Sequence, residues 1–232
     1  MSSRSRPTRP YNRILLKLSG ECFADRPLLG RVIDQLARAR KNRVSLAIVC
    51  GGGNILRGRD AEDIDRAAAD RAGMLATVIN GIRLRELLAV KHETTHLSAR
   101  AIPGFVEGYS VERGRAELDR GRTLVLSGGT GNPFFSTDSA AALRAAELNC
   151  DAILKATNVT GVYSADPRTD PGAKLYRRVS YARALAESLR VMDLTAFALC
   201  MERRIPIRVF DIRRRGAIID ILHGKQIGSC VC

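Results

Sequence analysis

Short apolar runs alternate along this chain with longer segments in which apolar residues recur every three or four positions. An unbroken apolar run of about four to eight residues is typical of a buried strand, and recurrence at helical spacing predicts an amphipathic helix. These patterns predict strands at residues 14–18, 44–50, 93–97, 123–126, 152–154 and 207–210. They predict helices at residues 28–40, 64–88, 111–119, 137–148, 181–188, 194–204 and 217–222. Since apolar strands that alternate with helices build a sheet covered on both faces, we predict an α/β fold, a three-layer αβα sandwich with a largely parallel central sheet.

The first dozen residues differ in composition from the rest of the chain. They carry Arg4, Arg6 and Arg9 among serines and prolines and show no apolar pattern, so residues 1–12 are predicted to form a disordered basic arm. No linker divides residues 13–232, and no period of about 20–50 residues repeats, so this stretch is predicted to be a single domain. A chain of 232 residues buries a sizeable core without disulfides.

The charge balance is strongly basic, with 38 Lys and Arg against 24 Asp and Glu, a net charge of +14. Such an excess suits any polyanion, whether a nucleic acid, an acidic lipid or a phosphorylated metabolite. Aromatic residues are sparse, with no Trp, five Tyr and six Phe, and a binder of single-stranded nucleic acid needs aromatic platforms for stacking. No apolar run approaches the roughly 18 residues of a membrane span, so we expect no membrane association.

Six cysteines are scattered along the chain, and no C-x-x-C pair occurs among them. Without such a pair, a zinc site or a redox motif is not indicated. We interpret the cysteines as small buried apolar residues of a protein without a signal peptide, kept in a reducing compartment, and expect a cytoplasmic location.

Three predicted strands end in small or glycine-rich turns at residues 18–20, 51–54 and 128–132. The carboxyl ends of parallel strands meet at one edge of the sheet, where ligands bind. Glycines let backbone N–H groups approach an anion closely, although any one such turn is also explained by the tight bend itself. Three turns in one basic chain indicate a site for more than one phosphate group.

Several common nucleotide and acyl-transfer motifs are missing from the sequence. There is no G-x-x-x-x-G-K-[ST] and no G-x-G-x-x-G after a strand, which argues against P-loop enzymes, dinucleotide-binding domains and protein kinases. There is also no G-x-S-x-G, and none of the three histidines lies near a candidate nucleophile, so acyl transfer is not indicated.

Longer strings are shared with a known family. They are KLSGE (17–21), GGGNILRG (51–58), DRAGMLATVING (70–81), GTGNPFFSTDSAAALRA (129–145), LKATNVTGVYSADPRTDP (154–171), VMDLTAF (191–197) and PIRVFD (206–211). In this order and spacing they resemble the bacterial uridylate (UMP) kinase family of the amino acid kinase superfamily. The resemblance implies the amino acid kinase fold and a cytoplasmic homo-oligomer, a hexamer in relatives. It also implies transfer of the γ-phosphoryl of MgATP to UMP, giving UDP and ADP.

The same resemblance assigns roles to individual residues. It places Lys17, Asp138 and Asp193 at the transferred phosphoryl as catalytic residues. It assigns ATP binding to Lys17, Leu18, Ser19, Gly20, Gly53, Arg57, Thr157, Tyr163 and Asp166. It assigns UMP binding to Gly52, Asp70, Thr130, Gly131, Asn132, Pro133, Phe134, Phe135, Ser136 and Thr137. No protein metal site is implied, since Mg²⁺ is expected through the ATP phosphates.

Purely structural explanations stay open for several of these residues. Asp138 and Asp193 each begin a predicted helix, where a carboxylate serves as an N-cap. Asp70 lies four residues after Arg66, which suits a helical ion pair. Turn formation accounts for Asp166 before a proline, core packing for either ring of Phe134 and Phe135, and a solvated charge for Arg57. Lys155 is a further candidate cation near the phosphates, or a structural partner of an acid.

Three segments depart from the family pattern, one of them Ser229-Cys230-Val231-Cys232, which replaces the more usual Gly-Thr ending. Asn158-Val159-Thr160-Gly161-Val162 stands where the family usually has K-V-D-G-V, and the segment after Glu21 is shorter than in many relatives. That segment is tied to regulation by GTP in the family, so GTP activation is not expected here. Two alternatives remain open beside the kinase: a relative that binds nucleotide without turnover, and a nucleic-acid-binding protein.

Overall fold

The computed structural model describes residues 10–57, 63–167, 169–189 and 191–232. Its strands are β1 (Arg13–Leu18), β2 (Ser45–Cys50), β3 (Thr94–Ser98), β4 (Glu107–Gly108), β5 (Thr123–Ser127), β6 (Ala152–Thr157), β7 (Val162–Tyr163), β8 (Leu175–Tyr176), β9 (Arg178–Val179), β10 (Ile207–Asp211) and β11 (Ser229–Val231). Its helices are α1 (Glu21–Ala24), α2 (Arg26–Lys41), α3 (Arg66–Ala89), α4 (Val111–Asp119), α5 (Thr137–Glu147), α6 (Tyr181–Ala186), α7 (Leu194–Arg203) and α8 (Ala217–Leu222).

One mostly parallel sheet organises the described residues. Its strands lie in the order β4-β3-β5-β2-β1-β6-β10-β11-β9, while β7 and β8 form a separate antiparallel pair. Among the paired strands of the large sheet, β10 and β11 run antiparallel, and the others are parallel. Strand β1 lies at the centre, with β2 on one side and β6 on the other. The order of the strands therefore reverses at β1. In open α/β sheets, ligands bind where the strand order reverses in this way.

Two apolar cores cover the two faces of the sheet. Leu16 of β1 packs with Leu36 of α2 and Leu84 of α3 on one face. On the other face Leu15, the preceding residue, packs with Ala141 of α5. Because successive side chains of a strand point to opposite faces, one unbroken apolar strand fills both cores. The prediction of a three-layer αβα sandwich is confirmed.

Helix α2 shows how the sequence sets the limits of a helix. The carboxylate of Asp25 accepts a hydrogen bond from the backbone N–H of Leu28 at 2.8 Å and caps the first turn. Pro27 occupies that turn, where its missing N–H costs nothing. Leu29 and Val32 then turn towards the sheet and are buried.

Several short elements were not predicted by the apolar pattern. They are the one-turn helix α1 and the strands β4, β7, β8, β9 and β11, each two to four residues long. The last residues of the predicted arm contact the domain. Asn12 donates its backbone N–H to Asp151 at 2.6 Å, and Tyr11 packs against the core. Residues 1–9 of the arm lie outside the described residues.

The cysteines divide into two groups. Cys22, Cys50, Cys150 and Cys200 are buried, as predicted, whereas Cys230 is half-buried and Cys232 is exposed. The prediction that all six are buried is therefore wrong for the last two, since β11 lies near the edge of the sheet. None of the helices described is long and apolar enough to cross a membrane.

Candidate active site

Two lysines lie side by side at the centre of the sheet. Lys17 of β1 is the register partner of Lys155 on β6, and both side chains are largely buried. Asp138, in the first turn of α5, lies between them. Its Oδ1 atom is 2.8 Å from Lys17 Nζ, and its Oδ2 accepts a hydrogen bond from Lys155 Nζ at 2.6 Å. One carboxylate therefore offsets the mutual repulsion of two buried ammonium groups.

Burial and charge act against each other in this cluster. Burial alone would raise the pKa of Asp138, but the positive charges of Lys17 and Lys155 outweigh it and hold that pKa below its usual value. Burial lowers the pKa of Lys155, and the charge of Lys17 adds to this, while Asp138 opposes it. Asp138 is thus a carboxylate at neutral pH, and the cluster carries a net positive charge suited to phosphate.

Asp138 does not act as an N-cap. The cap of α5 is Ser136, whose Oγ accepts hydrogen bonds from the backbone N–H groups of Asp138 and Ser139. The Asp138 side chain is thereby left to face the lysines. For this residue the capping explanation is wrong.

Asp193 does cap α7, because its Oδ1 accepts a hydrogen bond from the N–H of Ala196 at 2.9 Å. The same carboxylate accepts hydrogen bonds from the hydroxyl groups of Ser136 and Ser139. It therefore ties the start of α5 to the start of α7, and its negative charge acts on Lys155. No direct contact with Lys17 or Asp138 is found among the described contacts.

The turns after β1 and β2 pack directly on each other. A Cβ atom on Gly20 would lie 2.4 Å from the backbone nitrogen of Gly53, so no side chain fits there. Asn80 of α3 is buried and donates from Nδ2 to the carbonyl of Gly51 at 2.7 Å, which fixes the second turn. Two backbone segments thus come close together with no side chain between them, as a phosphate cradle requires.

Leu18 is fully buried, so only its backbone could make the nucleotide contact predicted for it. Ser19 is half-buried at the start of the turn.

Arg57 lies against Gly53, and its Nη2 is 2.7 Å from Glu21 Oε1. Arg57 is therefore paired rather than freely solvated. Glu21 also accepts a hydrogen bond from Asn158, a residue of the segment that departs from the family pattern.

Asp70 joins two regions that were predicted to bind the same ligand. It forms the predicted ion pair with Arg66 at 3.1 Å. It also accepts a hydrogen bond from the backbone N–H of Phe134 at 2.8 Å, which holds residues 130–137 against α3. Phe134 is 71% exposed and Phe135 is 47% exposed, so core packing explains neither ring.

A cavity of about 530 Å³ lies beside residues 130–137. Arg71 of α3 and Arg100, just after β3, line it together with Gly131 and Pro133. Arg100 Nε donates to the carbonyl of Gly131 at 2.9 Å. The glycine turn itself is fixed by Thr77, whose Oγ1 accepts a hydrogen bond from the N–H of Gly128 at 2.7 Å. The cavity therefore combines apolar walls with two guanidinium groups.

A second cavity, of about 490 Å³, lies beyond the end of β6. Tyr163 and Asp166 line it, together with Leu189 from the segment after α6. Thr157 ends β6 and donates its hydroxyl to the carbonyl of Val159 at 2.8 Å, which shapes the turn into this cavity. The backbone carbonyl of Asp166 accepts hydrogen bonds from residues 169 and 170, as its position before a proline predicted.

Four of the predicted residues line the two cavities, Gly131 and Pro133 the first and Tyr163 and Asp166 the second. The charged cluster of Lys17, Asp138 and Lys155 lines neither cavity but is connected to both along the chain. Residues 130–137 lead from the first cavity into α5, which carries Asp138, and β6 leads from Lys155 to the second. Prediction from the sequence missed Thr77, Asn80 and Arg100. Arg100 lies just after the end of β3, at the same edge of the sheet as the glycine turns, and that position could have identified it as a candidate site residue.

The family model of the amino acid kinases, described as "Amino acid kinase family", matches residues 12–211. A uridylate kinase from Azorhizobium caulinodans is 48% identical over 229 residues, covering 94% of this chain and 96% of that protein. The chain belongs to the amino acid kinase family.

Solved structures agree with this family membership. A crystal structure of UMP kinase from Bacillus anthracis superposes with a TM-score of 0.92 at 35% identity, covering 96% of both chains. One of UMP kinase from Ureaplasma parvum gives a TM-score of 0.90 at 38% identity, covering 95% of this chain and 98% of that one. The resemblance to uridylate kinases found in the sequence motifs is thereby confirmed, as is the amino acid kinase fold.

The amino acid kinase match ends at residue 211, the last residue of β10. It includes Lys17, Asp138 and Lys155 and all the segments that line the two cavities described above. Strand β11 and helix α8 lie beyond the matched range, although both structural neighbours cover nearly the whole chain.

Proposed function

We propose that this amino acid kinase is a UMP kinase, which transfers the γ-phosphoryl group of ATP to UMP and releases UDP and ADP. The observation that carries the proposal is the buried cluster of Lys17, Asp138 and Lys155, which stands on elements that lead along the chain to two cavities of nucleotide size. Phosphoryl transfer asks the protein mainly to position two substrates and to neutralise charge. A net positive, preorganised cluster at the central strands of the sheet supports that task.

In this proposal UMP occupies the cavity beside residues 130–137, and ATP occupies the cavity beyond β6. Gly52 and the 130–137 segment hold the uridylate, with Asp70 fixing that segment against α3. The turns at Ser19–Gly20 and Gly53, with Arg57, hold the ATP phosphates, and Tyr163 packs against the adenosine. Lys17 bridges the phosphates, where its ammonium offsets charge that develops on the transferred group.

Asp138 is then a positioning group, because it holds the ammonium of Lys17 in place. Asp193 supports it by fixing the relative position of α5 and α7. An active site of this kind keeps its charges fixed before the substrates arrive, which lowers the cost of reorganisation during the reaction. Lys155 belongs to the same cluster, because its Nζ donates a hydrogen bond to Asp138 Oδ2.

Mg²⁺ is proposed to enter with ATP. Among the described residues no group of three His, Cys, Asp or Glu side chains could hold a metal ion by itself. Oδ1 of Asp138 is buried and, in the described part of the chain, has no hydrogen-bond partner beyond its ion pair with Lys17, so it fits as an acceptor for the ion's water shell. When bound, the ion supplies further neutralisation of the phosphate oxygens.

We also propose a homo-oligomer, a hexamer as the family resemblance implies, in the cytoplasm. Helix α3 supports an interface between copies of the chain. Leu75, Ile79 and Ile82 lie on one face of this helix and are 54%, 55% and 36% exposed. Light scattering of Ile79→Glu tests this, since a smaller particle is expected than for the wild-type protein.

The test of the function is ADP release from MgATP with UMP, CMP, dUMP, AMP, aspartate or glutamate as the acceptor. We expect strong turnover with UMP only. Turnover with another acceptor in place of UMP would contradict the proposal that UMP is the substrate. Binding of ATP or UMP without any turnover would instead favour a nucleotide-binding relative without activity. Salt-sensitive binding of DNA or RNA that survives Lys17→Ala would favour the nucleic-acid hypothesis.

A further inference from the structure

Two of the six thiols lie outside the apolar cores, close to the edge of the sheet. Cys230 in β11 is half-buried, and Cys232, directly after this strand, is exposed. Burial raises the pKa of each of the other four thiols, Cys22, Cys50, Cys150 and Cys200. Thiol chemistry with a reagent in solution is therefore confined to the last two cysteines.

The strand register places basic side chains on either side of Cys230. Its partner on β9 is Arg178, and its partner on β10 is Arg208. Val231 belongs to the core on the opposite face, so Cys230 and Cys232 share the face on which both arginines lie. The sheet edge thus presents two thiols between two guanidinium groups.

Contacts of the arginines distinguish the two thiols. Arg178 Nε donates a hydrogen bond to Cys232 Sγ at 3.1 Å. Arg208 donates from Nη2 to the carbonyls of residues 225 and 227, while its buried Nε has no hydrogen-bond partner among the described residues. The thiolate is the nucleophilic form of cysteine, and a cationic donor beside the sulfur is the setting in which reactive cysteines are found. Because Cys232 is exposed and receives the hydrogen bond from Arg178, it is the attacking thiol.

The chemistry of the neighbours also indicates the reagent. Two thiols can bind a soft metal ion, but here two guanidinium groups repel any cation that approaches. The guanidinium groups do not repel a neutral electrophile. Burial and the neighbouring Cys232 raise the pKa of Cys230, and its half-buried position leaves it less accessible to a reagent than Cys232. This division of roles matches an attacking and a resolving cysteine.

We propose that Cys230 and Cys232 form a peroxide-reactive dithiol. The thiolate of Cys232 attacks one oxygen of a hydroperoxide and forms an S–O bond. The O–O bond breaks, and the leaving oxygen takes a proton from solvent as water or an alcohol. The sulfur of Cys230 then attacks the sulfenic acid of Cys232. An S–S bond forms, the S–O bond breaks and water leaves, so the two thiols supply both electrons that reduce the peroxide.

Closing the disulfide changes the sheet edge. Residues two apart in an extended strand have Cα atoms about 6.6 Å apart, near the upper limit of about 6.8 Å for a disulfide. Cys232 must therefore shift towards Cys230. The shift breaks the hydrogen bond from Arg178 and the one from the Cys232 N–H to the carbonyl of Val179, 3.2 Å long. Oxidation is thus expected to loosen β9 from β11.

The test uses the reduced full chain treated with hydrogen peroxide. We expect loss of two thiols per chain, a mass decrease of two hydrogens and a Cys230–Cys232 link in the peptide map. Cys230→Ser should stop at a sulfenic acid on Cys232, which dimedone traps. Arg178→Gln removes the hydrogen bond to Cys232 Sγ and should slow the first step about three- to tenfold. Reversal by dithiothreitol should restore the wild-type mass.

Matched variants keep the result interpretable. Cys200→Ser, which removes a buried thiol, should still lose two thiols, and Cys232→Ser should lose none at the same dose. Both variants should keep the wild-type kinase rate when reduced, which shows that they are folded. Reaction of Cys232→Ser at the wild-type rate, or a disulfide that links two chains instead, would overturn the proposal.

Discussion

The change Asp138→Asn removes the charge shared by Lys17 and Lys155 and leaves nearly the same side-chain volume. The two N–O distances of 2.8 and 2.6 Å place one carboxylate against two largely buried ammonium groups. At an effective dielectric of about 20, each such contact corresponds to about 6 kcal/mol of Coulomb attraction before the cost of burial. Removal of one partner from a buried pair typically costs about 3–5 kcal/mol, so we expect a loss of stability in that range.

The same variant should lose catalysis for a separable reason. Without the carboxylate, Lys17 is no longer held where the phosphates bind, so kcat should fall by about 10²–10³-fold, the effect of losing one preorganised electrostatic group. Urea unfolding gives the stability and ADP release gives the rate. Adding Lys155→Met to Asp138→Asn removes one of the two uncompensated charges, and it should recover part of the stability but not the rate.

A surface ion pair provides the control for this experiment. Asp119 lies 2.6 Å from Arg13 Nη2, but its side chain is 66% exposed. Asp119→Asn should therefore change stability by less than about 1 kcal/mol and leave the rate unchanged. An Asp138→Asn protein with wild-type stability and rate would refute the reasoning.

Three further changes test other parts of the site. Asp70→Ala should raise the KM for UMP more than the KM for ATP, because the carboxylate holds the 130–137 segment. Ser136→Ala removes the cap of α5 and should lower the free energy of unfolding by about 1 kcal/mol, whereas Ser136→Thr should keep it. Burial and the charge of Arg85 lower the pKa of His96 to about 4, so the folded state favours the neutral ring. The stability from this group is complete above about pH 6.5 and declines towards pH 4, and about 2 kcal/mol should be lost between pH 7 and pH 5. His96→Gln should remove that part of the pH dependence in urea titrations.

Each of these predictions has a contradictory outcome. A larger rise in the KM for ATP than for UMP in Asp70→Ala would reverse the assignment of the two cavities. Equal stabilities of Ser136→Ala and Ser136→Thr would show that the cap contributes little. An unchanged slope of stability against pH in His96→Gln would mean that the ring ionises normally in the folded protein.

Long elements were predictable because each has a periodic apolar face. The 64–88 prediction and α3 at Arg66–Ala89 differ by only a few residues, and the central strands agree as well. Strand β9, Arg178–Val179, could not be found in this way, since two residues carry no periodicity. It pairs because β11 lies alongside, which is a property of the whole fold. The exposure of Cys232 depends on the same edge and was missed for the same reason.

The site shows a similar division. The motifs and the resemblance identified Lys17 and Asp138, but the pairing of Lys17 with Lys155 depends on the register of β1 and β6. That register is set by packing across the sheet, so it cannot be predicted from the sequence of either strand alone. The choice between capping and catalysis for Asp138 also needed the structure, since it turns on whether Ser136 or Asp138 satisfies the first N–H groups of α5.

The central claim is transfer of a phosphoryl group from ATP to UMP with Lys17 at the phosphates. Its most direct test follows label from [γ-³²P]ATP in the presence of UMP, for the wild-type protein and for Lys17→Met. We predict that the label appears in UDP with the wild-type protein, and that Lys17→Met transfers it at least about 100-fold more slowly while still binding UMP. Label recovered only as inorganic phosphate, or UDP labelled at an unchanged rate by Lys17→Met, would contradict the account.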